Sequence, residues 1–135
     1  MVKLNWSRWC SFKTLDRSSV PASGGVYQIR WTIDGKPQVI HRVNGDDESG
    51  ILYIGEGSNL RKRIDSLWRG IYHGRGHTAG WTYDWYDFRK IFKPEHLEVR
   101  WVEHPECGQL ENDLLIEYVE KYLDKPPLNI RIPRY

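Results

Sequence analysis

Residues 51–64 read ILYIGEGSNLRKRI, and this stretch decides how the rest of the chain is interpreted. It opens with an apolar run that is typical of a buried strand, and Gly55 and Gly57 follow. Ser58 or Asn59 can cap a helix, because their side-chain oxygens accept hydrogen bonds from the first helical N–H groups. The apolar positions of that helix recur at helical spacing: Leu60, Ile64, Leu67, Trp68 and Ile71. The stretch therefore predicts a strand, a glycine-rich turn and an amphipathic helix.

A second strand is predicted upstream, where apolar and polar residues alternate over 26–33. Asp34 and Gly35 form a two-residue hairpin turn in this prediction. The return strand is marked by Val39, Ile40 and Val43, and an acidic loop covers 44–50.

Downstream of the first helix, the pattern predicts a glycine-rich loop over 70–80 and an aromatic helical segment over 81–92, which Pro94 ends. Another strand is predicted over 97–102, and a last helix opens at Pro105. The sum is an α+β fold, a small and mainly antiparallel sheet flanked by helices. We expect residues 1–23 to form an irregular or short helical lead-in, packed on a domain that spans 24–135.

Bulk properties restrict the class of protein. With 135 residues and a net charge of +2, the chain has room for one domain and none for a separate DNA-recognition domain. Basic residues concentrate in the middle of the chain, which suits phosphate contacts or a solvated helix face equally. Cys10 and Cys107 lack metal-ligand spacing, so reduced thiols are expected rather than a disulfide. No apolar run approaches membrane-spanning length, and we expect a cytoplasmic protein.

Glu111 is the first candidate for chemistry. It shares a helical stripe with Leu115, Tyr118 and Tyr122, so its carboxylate leans inward and needs a partner. That partner is either a bound metal ion or an arginine in a buried ion pair. Glu117 lies on the opposite, polar side of the same helix.

Three further side chains complete the set. Arg63 flanks the apolar stripe of the first helix, and its planar guanidinium suits a phosphate; alone, it reads equally well as a surface arginine. Tyr27 and Tyr53 each lie on an apolar strand near glycines and read alone as core residues. Glycine allows close approach of backbones, which would bring both hydroxyls to one place.

Taken together, these residues resemble the GIY-YIG nuclease family, which is named for two tripeptides. Here they stand as Gly25-Val26-Tyr27 and Tyr53-Ile54-Gly55, and the likeness covers about residues 24–130. It continues to Arg63, at the place of the family's catalytic arginine, and to Glu111, at the place of its metal-binding glutamate. It ends at Asn129, after two prolines. The family's core is a three-stranded antiparallel sheet with surrounding helices.

The resemblance implies a metal-dependent DNA endonuclease, a hydrolase that cleaves phosphodiester bonds. Tyr27 would be the general base or would position the nucleophilic water, and Tyr53 would orient the phosphate or assist proton transfer. Arg63 would stabilise the pentacoordinate phosphate, and Glu111 would bind one Mg²⁺ or Mn²⁺ ion. Asn129 would hold the geometry of the site.

Some positions depart from the family's pattern or stay open. Glu56 stands where some members carry a lysine, and an acid there would repel phosphate. The long gap between Glu111 and Asn129 leaves Glu117 as an alternative glutamate by spacing. Further substrate-binding candidates are Arg61, Arg75 and His77; a loop histidine without a catalytic duty is the alternative for His77, as for His73.

Two other functions compete with the nuclease. The same fold could hold nucleic acid as a catalytically weak binding module, and a generic aromatic-rich RNA-binding domain would treat the motif match as coincidence. The sequence also leaves open a homodimer and the substrate preference. The decisive expectation is spatial: Tyr27, Tyr53, Arg63 and Glu111 should face a single cleft.

Overall fold

A computed structural model describes residues 3–73, 83, 88–130 and 133–134, in an α+β arrangement of short and long strands with two helices. The strands are β1 (Cys10–Ser11), β2 (Gly25–Ile33), β3 (Lys36–Pro37), β4 (Ile40–His41), β5 (Asp46–Asp47), β6 (Ile51–Gly57) and β7 (Leu97–Glu103). The helices are α1 (Leu60–Tyr72) and α2 (Cys107–Tyr122). Single 3₁₀ turns cover Arg17–Ser19, Phe88–Lys90 and Pro94–His96. The predicted fold class is confirmed.

Strand β2 is the centre of the main sheet. It pairs antiparallel with β6 on one side and with β7 on the other, while β1 extends the sheet beyond β7 and β3 pairs with the end of β2. Gly25 lies opposite both Gly57 and Glu103, so the start of β2 and the ends of β6 and β7 meet at one edge. Both helices begin just beyond that edge.

The two helices have different terminal signals. Asn59 is the N-cap of α1, since its side chain accepts a hydrogen bond from the backbone N–H of Lys62. Helix α2 begins at Cys107, two residues after the predicted start at Pro105, and ends at Leu123 in the left-handed conformation (φ 54°).

Each face of the sheet is covered by one helix. Tyr27 and Ile29 of β2 pack toward α1, in a core with Leu52, Leu60, Ile64 and Leu67. Val26 of β2 faces α2, in a core with Ile54, Val102, Leu115, Tyr118 and Tyr122. The register of β2 and β6 shifts after Ile29, so Leu52 is an extra residue and both Leu52 and Tyr53 lie on the α1 side.

The predicted hairpin turn is present, but the return strand is not continuous. Asp34 (φ 52°) and Gly35 (φ 77°) form the turn. Strand β3 then has only two residues, since Pro37 has no N–H to donate and the N–H of Trp31 bonds to Gly50 O instead, at 2.8 Å. Val39 and Val43, which were predicted on this strand, are exposed. The segment predicted as an acidic loop contains β5, which pairs with β4.

The N-terminal lead-in is more regular than its sequence indicates. Cys10 and Ser11 add a strand to β7, and the side chains of Phe12 and Val20 are fully buried. Trp6 and Trp9 pack on the α2 side, where the guanidinium of Arg100 lies over both rings. Within the described ranges, no helix combines the length and apolar character needed to cross a bilayer.

Candidate active site

Tyr27 lies across a glycine of the neighbouring strand. It is directly opposite Gly55 in the β2–β6 ladder, and its side chain is fully buried. A Cβ atom on Gly55 would stand 2.6 Å from Cζ of Tyr27 and 2.7 Å from its hydroxyl oxygen, well inside van der Waals contact. Glycine at this position therefore allows the phenol of Tyr27 to pack directly against the backbone of β6.

Arg63 occupies the neighbouring place on the same face. Gly57 lies two residues after Gly55, so both present the same side of β6. A Cβ atom on Gly57 would stand 2.2 Å from Cγ of Arg63, which shows that the arginine stem crosses this glycine. Because these two glycines have no side chains, the phenol of Tyr27 and the side chain of Arg63 can pack next to each other over β6.

Tyr53 completes this row on β6, two residues before Gly55. Its ring centroid lies 5.9 Å from that of Tyr27, with an interplanar angle of 42°. A hydrogen bond between the two side chains is among the causes of the raised pKa of Tyr27. The regular alternation from Gly57 through Gly55 to Tyr53 places Tyr53 on this face.

Glu111 reaches the same cluster from α2. Its side chain is 6% exposed, on the stripe with Leu115, Tyr118 and Tyr122 that the sequence predicted. Burial raises the pKa of Tyr27 well above its usual value, and Tyr53 and Glu111 raise this pKa further, while Arg63 lowers it. All three residues are therefore within electrostatic reach of one phenol.

Asn129 lies beside this cluster, where its carboxamide bonds to the backbone of β6. Its Oδ1 accepts a hydrogen bond from Ile54 N at 3.0 Å, and its Nδ2 donates to Ile54 O at 2.9 Å. The backbone N–H of Leu128 donates to Leu52 O at 2.8 Å. The chain after the prolines therefore secures the edge of β6 between Tyr53 and Gly55.

Several other candidates lie elsewhere. Glu117 is exposed and lines a separate groove of about 170 Å³ with Lys121, so Glu111 is the glutamate near the tyrosines. The Nε of Arg61 donates to Val20 O at 2.7 Å. His73 follows α1, and its ring centroid lies 4.9 Å from that of Trp68 with an interplanar angle of 49°. Arg75 and His77 lie outside the described residues, as do the rest of 74–80 in the predicted loop and residues 81, 82 and 84–87 of the predicted aromatic segment.

Glu56 does not share a face with Gly55 and Gly57. Its Oε2 accepts a hydrogen bond from Sγ of Cys107 at 3.3 Å, and this contact contributes to a raised pKa of the thiol after desolvation. Alternate residues of a strand face opposite sides, so Glu56 lies on the side of β6 opposite to Gly55 and Gly57, and the expected repulsion of a phosphate stays a prediction. That alternation was readable in the sequence.

The oxygen ligands available here suit one kind of metal ion. Among the described residues, no group of three or more His, Cys, Asp or Glu side chains could hold a metal. A single carboxylate such as Glu111 fits Mg²⁺ or Mn²⁺, which commonly keep several waters and bind substrate phosphates besides one or two carboxylates. It does not fit a closed structural zinc site, which needs four protein ligands.

Comparisons with known proteins add no relative to this picture. No protein-family model matches the chain, and no significant match is found among curated proteins or among solved structures.

Proposed function

We propose that this chain is a GIY-YIG-type endonuclease that hydrolyses phosphodiester bonds in DNA with one divalent metal ion. The proposal rests on the surroundings of Tyr27. Tyr53, Arg63 and Glu111 all lie close enough to this phenol to affect its pKa. Two phenols, a guanidinium and a carboxylate from four separate elements (β2, β6, α1 and α2) come together near the glycine-rich edge of the sheet.

The raised pKa of Tyr27 favours one of its two candidate roles. A phenol that stays protonated at neutral pH is a poor general base, because it must first lose its proton to accept another. As a neutral hydroxyl it can still hold and orient a water molecule for in-line attack on phosphorus. Tyr53, which is only partly buried, is then the phenol better placed to contact the phosphate.

Arg63 and Glu111 supply the charge chemistry in this proposal. The guanidinium of Arg63 donates to the phosphoryl oxygens, where negative charge grows in the transition state. Glu111 holds the metal ion, which when bound acts as a Lewis acid at the phosphate and leaving oxygen. Asn129 acts indirectly, by fixing Ile54 between Tyr53 and Gly55.

Nicking of supercoiled plasmid in Mg²⁺ or Mn²⁺ tests the proposal. We expect the wild-type protein to produce open circles and Glu111→Gln to lose this activity. Glu117→Gln is the matched control, because it removes the same charge from an exposed position of the same helix. Equal nicking by Glu111→Gln and wild type would reject the metal assignment, and a wild-type protein that nicks nothing would reject the nuclease.

A catalytically weak nucleic-acid-binding module is the second candidate. The observation in its favour is that Tyr27 and Glu111 are 0% and 6% exposed, so little of either side chain meets solvent. Binding of DNA without cleavage in either metal would support this module. A substrate panel with branched DNA, single strands and RNA extends the same test to the class of substrate.

Two remaining parts of the proposal concern the setting of the activity. One set of these residues per chain nicks one strand, so double-strand cleavage would require a homodimer or two successive events. Cys10 and Cys107 are free thiols, which supports the expected cytoplasmic location.

A further inference from the structure

The flank of α1 that faces away from Arg63 carries a second group of basic and aromatic side chains. Asp65 receives two guanidiniums there, from Arg17 in an ion pair and from Arg69, whose Nε lies 2.9 Å from Oδ2. Two cations share one carboxylate, so the group retains a net positive charge. The side chains of Arg17, Arg69 and Asp65 are 32%, 61% and 29% exposed, which leaves the arginines accessible.

The shape of this group is set by Trp68. The guanidinium carbon of Arg17 stands 3.8 Å from the centroid of the Trp68 ring, a stacked cation–π geometry. Stacking holds the guanidinium flat while the N–H donors at its rim remain available in the plane. Arg17, Trp68, Arg69 and His73 line a cavity of about 460 Å³, ample for a phosphate group.

The position of the cavity relates it to the proposed cleavage site. Arg69 follows Arg63 by six residues, which is about 9 Å along the helix axis. Six residues also turn the helix by about 240°, so Arg69 leaves α1 on a different side from Arg63. Helix α1 carries four basic residues and a single acid, so a polyanion meets positive potential along its exposed side.

We propose that Arg17 and Arg69 form a phosphate subsite for the DNA backbone, separate from the scissile bond. The inference rests on the proposed nuclease function and adds the course of the substrate over α1. Phosphate contacts of this kind position nucleic acid without reading its sequence. Asp65, which pairs with both guanidiniums, competes with the phosphate for them.

Binding of a fluorescein-labelled duplex of mixed sequence, followed by anisotropy in EDTA, tests the subsite. The Arg17→Gln/Arg69→Gln variant should bind about tenfold more weakly at low salt. The slope of log K against log salt should fall by about one to two, since each phosphate contact contributes about 0.9. Lys3→Gln/Lys36→Gln is the matched control, because it removes two charges from exposed positions outside α1.

Asp65→Asn tests the subsite with both arginines kept. It keeps both arginines and removes the competing carboxylate, so this variant should bind the duplex more tightly than wild type. An unchanged slope for the arginine variant, or an equal loss in the lysine control, overturns the subsite. If wild type still nicks plasmid in that case, the nuclease proposal stands. Arginine-dependent binding without any nicking supports the subsite and overturns the nuclease.

Discussion

Helix α2 contributes to two clusters that contain the same three chemical groups. At the start of the helix, Glu111 joins Tyr27 and Arg63; seven residues later, Tyr118 joins Asp47 and lies near Arg42. Each cluster combines a carboxylate, a phenol and a guanidinium. In each, burial raises the pKa of the tyrosine and the arginine lowers it.

The clusters differ in what surrounds the carboxylate. Asp47 is fully buried and accepts hydrogen bonds from Tyr118 at 2.8 Å, from Ser49 N at 2.8 Å and from the Ser49 hydroxyl. The two Ser49 donors belong to the turn after Asp47, and the Tyr118 donor belongs to α2. Asp47 therefore links this turn to the helix. Glu111 instead lies near Tyr27 and Arg63, whose side chains pack over Gly55 and Gly57 at the edge of the sheet. We infer that the Asp47 cluster stabilises the fold and that the Glu111 cluster serves chemistry.

The two arginines give the largest expected contrast. Arg63→Ala should lower plasmid nicking by about 10²- to 10³-fold, since it removes a donor to developing negative charge. Its free energy of unfolding should change by less than about 0.5 kcal/mol, because the side chain is exposed. Arg42→Ala should keep its nicking rate and lose about 1–2 kcal/mol, since Nη1 bonds to Asp124 and to Lys125 O. Urea unfolding and nicking rates on both variants check this, and a reversed pattern would exchange the roles of the clusters.

The second-largest expected effect on nicking concerns Gly57, the glycine over which the side chain of Arg63 packs. Gly57→Ala places a Cβ atom 2.2 Å from Cγ of Arg63, so the side chain of Arg63 must shift from its position over this glycine. A displacement near 1 Å can lower a rate by about 100-fold, and we expect a loss of nicking of that order. Gly108→Ala in α2 is the control, because nothing lies within 4 Å of its added Cβ. Nicking rates within twofold of each other in the two variants would show that the absence of a Cβ atom at position 57 is unimportant for cleavage.

Much of this contrast could be predicted from the sequence, and the reasons are local. Strand alternation and helical spacing placed Tyr27, Tyr53 and Glu111 on inward positions, and Asn59 was a readable cap. The Asp47 cluster could not be predicted, because an acidic run such as 46–48 is usually a solvated loop. Its burial depends on Tyr118, which lies 71 residues away. The Arg17–Asp65–Arg69 group likewise depends on the fold of the lead-in.

Tyr118→Phe probes the second cluster at the level of one hydroxyl. It removes one donor from a buried carboxylate while keeping the ring in the core, so we expect a loss of about 1–3 kcal/mol in unfolding free energy. Nicking should remain at the wild-type rate. Urea titration of this variant beside Tyr122→Phe, whose hydroxyl does not contact Asp47, separates loss of the hydrogen bond from a general effect of removing a phenol. Equal stability of Tyr118→Phe and wild type would contradict the structural role of Asp47.

Alkaline titration is expected to give the smallest effect. It compares Tyr27 and Tyr118, the buried phenols of the two clusters. The pKa values of Tyr27, Tyr72 and Tyr118 are all raised, chiefly by burial, so the folded protein favours their neutral forms. The stability that these groups contribute is full below the unfolded pKa of about 10 and is lost as pH rises toward the folded values. Ultraviolet absorbance of phenolate should show that these three tyrosines ionise only when the protein unfolds. Tyr27→Phe and Tyr118→Phe should each remove one late-titrating group, and normal titration of Tyr27 in the folded protein would restore it as a candidate general base.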